Sequence, residues 1–240
     1  MFLENRHAGS ERANPPLWHS RYVHLRRLKN AVLSALESCI TGRDKPVLVD
    51  LGCGNKPYQG MISGKVGTYV GVDIPGNPVA DCFVDMETGR CPLASASADI
   101  VFSIQVLEHV ESPASYLREA HRLLRDDGDL LLSTHGHWMY HPDPVDHWRW
   151  TSTGLKLELE RCGFQVTSFH GVQGFLSAAL QMLQDAVLAS FPLGKYWNKP
   201  FCFLVQRMIT LSEFFIDRSR TLSKHRDIEA AAFVLVARKK

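Results

Sequence analysis

The chain has 240 residues, of which 45% are hydrophobic and 22% charged, enough for one substantial core and typical of a single domain spanning 1–240. Its formal net charge is only +2, and its basic residues are spread along the chain. This argues against a nucleic-acid partner and favours a small or mid-sized substrate. The six cysteines form no CxxC pair, and no segment predicts a membrane span or an export signal. We therefore expect a reducing, cytoplasmic location.

The first part of the chain predicts a helix followed by buried strands. Residues 1–17 are polar, include Pro15-Pro16 and predict a flexible lead-in. Apolar residues at helical spacing predict an amphipathic helix within 18–45. The short apolar runs VLVDLG and TYVGVDI predict two parallel strands, and further short strands are expected at 81–84 and 99–104.

Helix-start residues mark two later helices. Ser112 is placed to cap a helix that starts at Pro113 and has Gly128 beyond its end. The run DLLLST then predicts a fifth strand. Thr151 or Ser152 is placed to cap the next helix, and FQVTSFHGV and AAFVLVARK predict the last two strands, with the final one able to enter antiparallel.

These alternating elements predict an α/β fold with a doubly wound, mostly parallel seven-stranded sheet. A helical insert at 172–228 precedes the last strand, with apolar-periodic helices near 175–191 and 201–215 joined by PLGKYWNKP. Ligands are expected outside the carboxyl ends of the strands, where 46–134 would form the cofactor-binding core and 135–150 a substrate loop.

Two features at strand ends point to a nucleoside cofactor. Gly52 and Gly54 follow the first strand directly, and glycines allow the backbone to approach a ligand closely. Asp73 ends the second strand about twenty residues later, where a carboxylate can accept hydrogen bonds from both hydroxyls of a ribose. Glycines alone are also typical of a dinucleotide site or a tight turn.

The series VLVDLGCG, YVGVDI, DCFVDMETGRCPLASASADIVFSIQVLEHV and LREAHRLLRDDGDLLLST resembles class I S-adenosylmethionine-dependent methyltransferases of the type 11 family, across about 46–134. The resemblance implies that the glycines line the methionine portion, Asp50 orients its amino-acid end, and Asp73 holds the ribose. The residues it assigns to S-adenosylmethionine are Asp50, Gly52, Gly54, Asp73, Ile74, Asp85, Met86 and Gln105. Lys56 stands where this family usually has a third glycine, which also disfavours a nicotinamide dehydrogenase, since close approach to a pyrophosphate needs that glycine.

The expected substrate loop is rich in histidine and carboxylate side chains, and three interpretations stay open for it. The residues concerned are His135, His137, His141, Asp143, Asp146 and His147. They suit a divalent metal through the His135-Gly136-His137 pattern, a structural hydrogen-bond network, or contact with an acceptor and removal of its proton. No regular metal-binding spacing emerges, so we predict no metal.

The stretch HPDPVDHWRWTSTGL resembles a pattern found in type 11 members, many of which act in bacterial polysaccharide and natural-product pathways. The resemblance and the chemistry of the side chains suggest His141 as a general base, with Asp146 as its orienter and His147 as a further catalytic candidate. Arg149 would hold an anionic or hydroxyl-rich acceptor. The predicted acceptor-binding residues are His109, His135, Tyr140, Trp148 and Arg149.

The insert carries more apolar residues than a simple connection needs, namely Phe191, Trp197, Phe201, Phe203, Phe214 and Phe215. A substrate pocket, a partner helix or homodimer, a membrane surface and plain local core would each use them. We expect an O-methyltransferase acting on a sugar, a glycan precursor or a natural product. N- or C-methylation and a non-catalytic binding module stay as alternatives.

Overall fold

The computed structural model describes residues 13–142, 144–191 and 195–240, and its strands form one seven-stranded sheet in the order β3-β2-β1-β4-β5-β7-β6. The strands are β1 Val47–Leu51, β2 Thr68–Asp73, β3 Cys82–Phe83, β4 Ala98–Ile104, β5 Leu124–His135, β6 Phe164–Gly174 and β7 Ala230–Lys239. The pairs among β1 to β5 are parallel, and β7 runs antiparallel to both β5 and β6. The predicted doubly wound, mostly parallel sheet is thereby confirmed.

Helices cover both faces of the sheet. They are α1 Tyr22–Ile40, α2 Gln59–Ile62, α3 Pro113–Leu123, α4 Ser152–Arg161, α5 Phe175–Ser190, α6 Lys195–Arg218 and α7 Arg220–Arg226. Leu28, Val32 and Leu36 of α1 pack in one core cluster. Leu117 of α3 and Leu155 of α4 belong to the other. The continuous apolar runs of the central strands thus meet helices on both sides, as buried parallel strands require.

The predicted caps form as expected. The Ser112 hydroxyl accepts from the Ser115 amide at 3.4 Å, with Pro113 at the first position of α3. The Thr151 hydroxyl accepts from the Gly154 amide at 3.0 Å at the start of α4. Each cap accepts a hydrogen bond from a backbone amide that has no partner within the helix. Both helix starts could therefore be predicted from the sequence.

Gly128 lies beyond the end of α3, as predicted, but β5 begins earlier than the predicted run DLLLST, because the helix ends at Leu123 and the strand starts at Leu124. Leu124 already pairs with Ala98 of β4, so the chain passes directly from helix into sheet. A Cβ at Gly128 would lie 2.8 Å from the Leu124 side chain and 3.0 Å from the Arg125 carbonyl. The glycine therefore permits close approach within the strand and does not end the helix.

The insert also differs from its prediction. Residues 192–194 of the expected linker lie outside the described residues, but 195–200 are already helical, with Pro200 inside α6. A further short helix, α7, precedes the last strand. Among the described residues, no helix is both long enough and apolar enough to cross a bilayer.

β1 lies between β2 and β4 in the sheet. From β1 the strand order therefore runs to one side through β2 and β3 and to the other side through β4 and β5. A crevice opens outside the carboxyl ends of the strands at such a point, and ligands of open α/β sheets bind there. The loops that follow β1, β2, β4 and β5 all start at this edge.

Candidate active site

The loop after β1 adopts backbone conformations that require its glycines. Gly52 has φ +82° and Gly54 has φ +50°, in the left-handed region that disfavours side chains. A Cβ at Gly52 would lie 2.5 Å from Val106, whereas a Cβ at Gly54 would meet nothing within 4 Å. Gly52 therefore allows the loop to pack on the segment after β4, and Gly54 lies exposed beside open space.

Lys56, where a third glycine is usual, also has a left-handed φ of +50°. Its side chain folds over β2, and a Cβ at Gly71 would lie 2.3 Å from Lys56 Cε. Lys56 Nζ lies 2.8 Å from Asp81 Oδ2 and 5.7 Å from the centre of the Tyr69 ring. This ion pair lowers the pKa of Asp81. The lysine thus ties the glycine loop to the start of β3.

Asp73 lies at the end of β2 with its carboxylate turned toward the glycine loop. Its Oδ2 accepts from the Gly54 amide at 2.9 Å and from Asn77 Nδ2 at 2.6 Å, while Oδ1 accepts from the Ile74 amide at 2.8 Å. Asn77 was not predicted as a site residue, because nothing in its sequence neighbourhood distinguishes it from other turn residues. The carboxylate is thus held in place beside the open space at Gly54.

Asp85 and Met86 follow β3, which pairs with the end of β2. Hydrogen bonds from the backbone amides of Thr88 and Glu87 lower the pKa of Asp85. Met86 is 67% exposed, an apolar surface at the edge where the resemblance expects the adenine. The role of both residues stays a prediction.

Asp50 and Gln105 are both buried at the base of this crevice. Burial raises the pKa of Asp50 from 3.8 to about 7, against the lowering effect of the hydrogen bond that Tyr69 donates to it. Gln105 has φ +58°, and its amide donates to the Ser133 hydroxyl at 2.8 Å. The Gln105 side chain is therefore held by β5, and its orientation toward the cofactor stays a prediction.

These residues fit S-adenosylmethionine. An acid as deeply buried as Asp50 pays desolvation in its charged form, and a neighbouring ammonium group relieves that cost. The side-chain-free space at Gly54 admits a ligand close to the backbone, and Asp73 offers a carboxylate beside it. The set matches a ligand with a cationic amino-acid end and a ribose.

The second half of the site is a cluster of imidazoles around Glu108, at the carboxyl ends of β4 and β5. Glu108 is fully buried, and its Oε2 accepts from the Thr134 hydroxyl at 2.9 Å. Its Oε1 lies 3.1 Å from His135 Nδ1. The His141 ring lies with its centre 6.0 Å from that of His135 and 5.7 Å from that of His109. Three predicted site residues thus come together.

Two residues that the sequence analysis missed complete this cluster. The Trp138 ring stacks on His135 at 5.3 Å and contacts the His24 ring at 4.2 Å. His24 comes from α1, about one hundred residues away in sequence, so only the tertiary fold brings it here. Burial lowers the pKa of His135 well below its ordinary value, with smaller contributions from the neighbouring His24 and Arg149. His135 is therefore neutral at physiological pH.

Asp146 and Arg149 form a clamp that holds together the loop after β5, which is the predicted substrate loop and is called the acceptor loop below. Arg149 pairs with both carboxylate oxygens of Asp146 and donates to the Trp138 and Met139 carbonyls. Asp146 Oδ2 accepts from the backbone amide of His141 at 2.6 Å. Burial alone raises the pKa of Asp146, but these hydrogen bonds from Arg149 and His141 lower it below its usual value. Asp146 therefore positions the backbone of His141, and its role as the orienter of a general base stays a prediction.

The remaining predicted loop residues are largely exposed. Tyr140 is 73% exposed and Trp148 is 39% exposed, and the Trp148 ring donates to the Val110 carbonyl at 2.9 Å. His147 is exposed too, and its backbone amide donates to the Glu108 carbonyl at 2.8 Å. They line the outer side of the loop, where their contact with an acceptor stays a prediction.

The paired histidines of the HxH pattern face different partners. His135 is buried beside Glu108, whereas His137 is exposed and pairs with Glu229. Asp143 lies outside the described residues. Within the ranges that the structure describes, no group of three or more His, Cys, Asp or Glu side chains is arranged to hold a metal ion.

The clamp gives a first testable prediction. Arg149→Lys keeps the charge but cannot reproduce the two-pronged pairing, so the nearly buried Asp146 carboxylate loses partners. We expect the free energy of unfolding to fall by about 2 kcal/mol in urea titrations, with faster proteolysis of the loop. Arg161→Lys, at an exposed surface pair, serves as the control. Unchanged stability with a raised KM would instead make Arg149 an acceptor-binding residue.

Comparison with known proteins agrees with this geometry. Residues 49–132 match the family model of a methyltransferase domain, type 11. A probable S-adenosylmethionine-dependent methyltransferase of Mycolicibacterium smegmatis is 29% identical over 68% of this chain and 66% of its own length. A ubiquinone biosynthesis O-methyltransferase of Pseudomonas aeruginosa is 30% identical over 36% of this chain and 43% of its own length. The chain thus spans less than two thirds of these relatives.

A solved structure shares the fold. The phosphoethanolamine N-methyltransferase 2 of Haemonchus contortus, in complex with S-adenosyl-L-methionine, superposes with a TM-score of 0.55 at 12% identity, covering 99% of this chain and 60% of the other. The match to the family model begins within β1 and ends within β5, so it includes the glycine loop, Asp73 and His109. His135 and His141 lie beyond it. The chain is thus similar to class I S-adenosylmethionine-dependent methyltransferases, and S-adenosylmethionine is the cofactor that this similarity and the site residues support.

Proposed function

We propose that this chain transfers the methyl group of S-adenosylmethionine to a hydroxyl oxygen of a small molecule such as a sugar, a glycan precursor or a natural product. The observation that carries the proposal is the imidazole cluster of His109, His135 and His141 at the ends of β4 and β5. It adjoins the strand whose loop holds Gly52 and Gly54, because β1 pairs with β4. A hydroxyl acceptor needs a base within reach, and imidazole suits that role near neutral pH.

Methyl transfer from a sulfonium is a direct displacement, so the bound cofactor supplies the electrophile and the protein aligns the acceptor oxygen. In this scheme His141 accepts the proton of the acceptor hydroxyl. The Asp146–Arg149 clamp fixes the backbone that carries it. His135 is packed between Glu108 and Trp138. In this scheme it supports the loop from the side of the core.

The oxygen acceptor also has support from the relatives. The Pseudomonas protein is an O-methyltransferase by name, and the similarity covers 36% of this chain. Its acceptor is therefore not transferred to this chain. The general class, a hydroxyl on a small molecule, agrees with the presence of a histidine base.

The cofactor half of the proposal is tested by Asp73→Ala. Removing the carboxylate eliminates its hydrogen bonds to the ribose and releases Gly54 and Asn77, so calorimetry should show affinity for S-adenosylmethionine weakened by roughly 10- to 100-fold. Asp126→Ala removes an exposed aspartate from the far end of the sheet and should leave affinity unchanged. Equal affinities in all three proteins would contradict the assignment of Asp73.

The acceptor half is tested by turnover. Incubation with methyl-labelled S-adenosylmethionine and a panel of hydroxyl, amine and carbon acceptors should transfer label to a hydroxyl compound. Label on an amine or a carbon would show that the acceptor atom is nitrogen or carbon and not oxygen, although the protein would still be a methyltransferase. Cofactor binding without turnover of any acceptor in a broad panel would favour a binding module.

A further inference from the structure

The two long helices of the insert bury polar side chains. Those that are at most 2% exposed are Ser177, Gln181 and Gln184 on α5, and Gln206 and Glu213 on α6. An amphipathic helix on the surface of a globular protein normally turns its apolar stripe toward the core. In α5 and α6 the inward stripe is largely polar.

Hydrogen bonds fix this orientation. Gln206 Nε2 donates to Gln181 at 3.0 Å and to Gln184 at 3.1 Å. All three glutamine amides donate to the carbonyl of Ser20, just before α1, and the amide of Val23 donates back to Gln206 at 2.9 Å. A rotation of either helix would leave these buried groups without partners, at a high cost. The opposite faces are therefore held outward.

The outward faces are apolar. Ten large hydrophobic side chains on the two helices are at least 39% exposed: Phe175, Leu176, Met182, Leu183, Phe203, Leu204, Met208, Leu211, Phe214 and Phe215. Tyr196 and Trp197 at the start of α6 are 89% and 71% exposed. We call these twelve residues the apolar outer face. Exposed apolar surface on this scale marks an interaction site.

Basic side chains accompany the apolar outer face, whereas the acidic ones of the insert are already engaged. The exposed basic residues are Lys199, Arg207, Arg218, Arg220 and Lys224. The guanidinium of Arg218 lies 3.4 Å from the centre of the Phe214 ring, and that of Arg207 lies 4.7 Å from Phe203. The acidic residues of the insert form ion pairs with arginines of the N-terminal segment or accept a hydrogen bond from a backbone amide. They are Asp185, Glu213, Asp217 and Asp227.

We propose that the apolar outer face of α5 and α6 docks onto the surface of an anionic lipid bilayer. Aromatic and aliphatic side chains mixed with arginine and lysine are the composition of helices that lie in the headgroup region. Arginine packed on exposed phenylalanine can bury its stem with the ring and keep its charge at the phosphates. Neither helix is both long enough and apolar enough to cross the bilayer, so we place the contact at its surface. The 24 residues of α6 provide a contact roughly 36 Å long.

Charge argues against a second copy of the chain as the occupant. In a two-fold dimer the same patch faces itself, so the five basic side chains would oppose one another with the insert's acidic groups already paired. Anionic headgroups complement them, and each basic group near such a surface strengthens attraction. The proposal is independent of the methyl acceptor, since it rests on the insert alone. The face does begin beside the acceptor loop, where Phe175 contacts His137 with ring centres 5.6 Å apart.

Vesicle flotation of the full chain tests the proposal. The protein should float with phosphatidylcholine vesicles that contain about one third phosphatidylglycerol and bind pure phosphatidylcholine at least roughly tenfold more weakly. The triple variant Leu204→Gln, Leu211→Gln, Phe215→Ser should bind the anionic vesicles at least roughly tenfold more weakly than the parent. The triple variant Arg207→Gln, Arg218→Gln, Lys224→Gln should lose roughly a hundredfold, and added salt should weaken the parent.

The matched controls lie on other surfaces. Leu157→Gln removes an exposed leucine of α4, and Arg90→Gln with Arg161→Gln removes two largely exposed arginines; all should bind like the parent. No flotation of the parent, or triple variants that float like it, would overturn the proposal. A parent dimer in light scattering that the apolar triple variant converts to monomer, without vesicle binding, would assign the face to a second copy. Absence of binding to any vesicle, with capture of a protein partner through this face, would likewise overturn it.

Discussion

His141→Ala should lower the rate of methyl transfer by roughly two to four orders of magnitude, the usual contribution of a general base. The affinity for S-adenosylmethionine should stay nearly unchanged, because the predicted cofactor residues lie on β1 and β2 and after β1 to β4, while His141 lies on the loop after β5. The backbone of His141 keeps its bond to Asp146 in the variant, so the loop should hold its shape. Single-turnover kinetics and calorimetry separate the two effects.

Two comparisons distinguish a base from a structural histidine. Added imidazole should restore part of the rate of His141→Ala, since a small base can enter the space left behind, and it should not stabilise the protein. His147→Ala removes an exposed imidazole from the same loop whose backbone amide is what contacts the core, and it should keep most of the rate. A rate unchanged in His141→Ala would assign the residue to structure, and a loss confined to His147→Ala would move the base to His147.

The central sheet was predictable because its strands are continuous apolar runs and its helices carry their own caps. Val47–Leu51 is buried along nearly its whole length, and its continuous apolar sequence is typical of a strand that is covered on both faces. Ser112 and Thr151 satisfy amides only three residues away. Such local interactions depend on residues that are close in sequence. The early start of β5 at Leu124 was not predicted, because it depends on the pairing of Leu124 with Ala98 of β4 and on close contacts at Gly128.

The acceptor half of the site was only partly predictable. Histidines near the end of β5 were visible in the sequence, but Glu108 and His24 join them through the fold, since they come from the segment after β4 and from α1. Arg149 illustrates a different limit. Its residue type fits an anionic acceptor as well as a loop clamp, and only the carbonyls of Trp138 and Met139 around it show the clamp.

The insert shows what a periodic pattern leaves open. The spacing of Phe203, Phe214 and their neighbours predicts a helix with an apolar side, but not whether that side faces the core. The answer comes from Gln206 and Glu213 at 2% and 1% exposure, whose partners lie far away in sequence at Ser20 and Gly174. Buried polar groups that are hydrogen-bonded or, for Glu213, also ion-paired with Arg27 thus determine which side of the helix faces the core.

Asp50 makes the stability of the protein depend on pH in an unusual direction. Its pKa in the folded chain is about 7, raised from 3.8 chiefly by burial. The folded protein therefore holds a proton that the unfolded chain has released over this interval. The associated stability is full below pH 4 and is lost as pH rises through 7. Most paired carboxylates, such as Asp146 with its lowered pKa, act in the opposite sense.

Asp50→Asn removes this dependence, because the amide stays neutral at every pH. In the absence of cofactor, the variant should equal the parent in stability near pH 4 and exceed it at pH 8 by up to about 4 kcal/mol, the equivalent of the pKa shift. Urea unfolding of both proteins across this range measures the difference. Asp126→Asn, at an exposed position, should follow the parent.

The same substitution should harm cofactor binding, which separates the role of Asp50 from simple destabilisation. A carboxylate facing an ammonium group must ionise, so the parent's affinity for S-adenosylmethionine should rise from pH 6 to pH 8, with release of a proton that calorimetry detects in buffers of different ionisation enthalpy. Asp50→Asn should bind more weakly at pH 8, although it is then the more stable protein, and should release no proton. Parallel pH profiles for the two proteins would show that Asp50 is buried for packing alone, because a residue that neither titrates nor meets a cation has no means of coupling binding to pH.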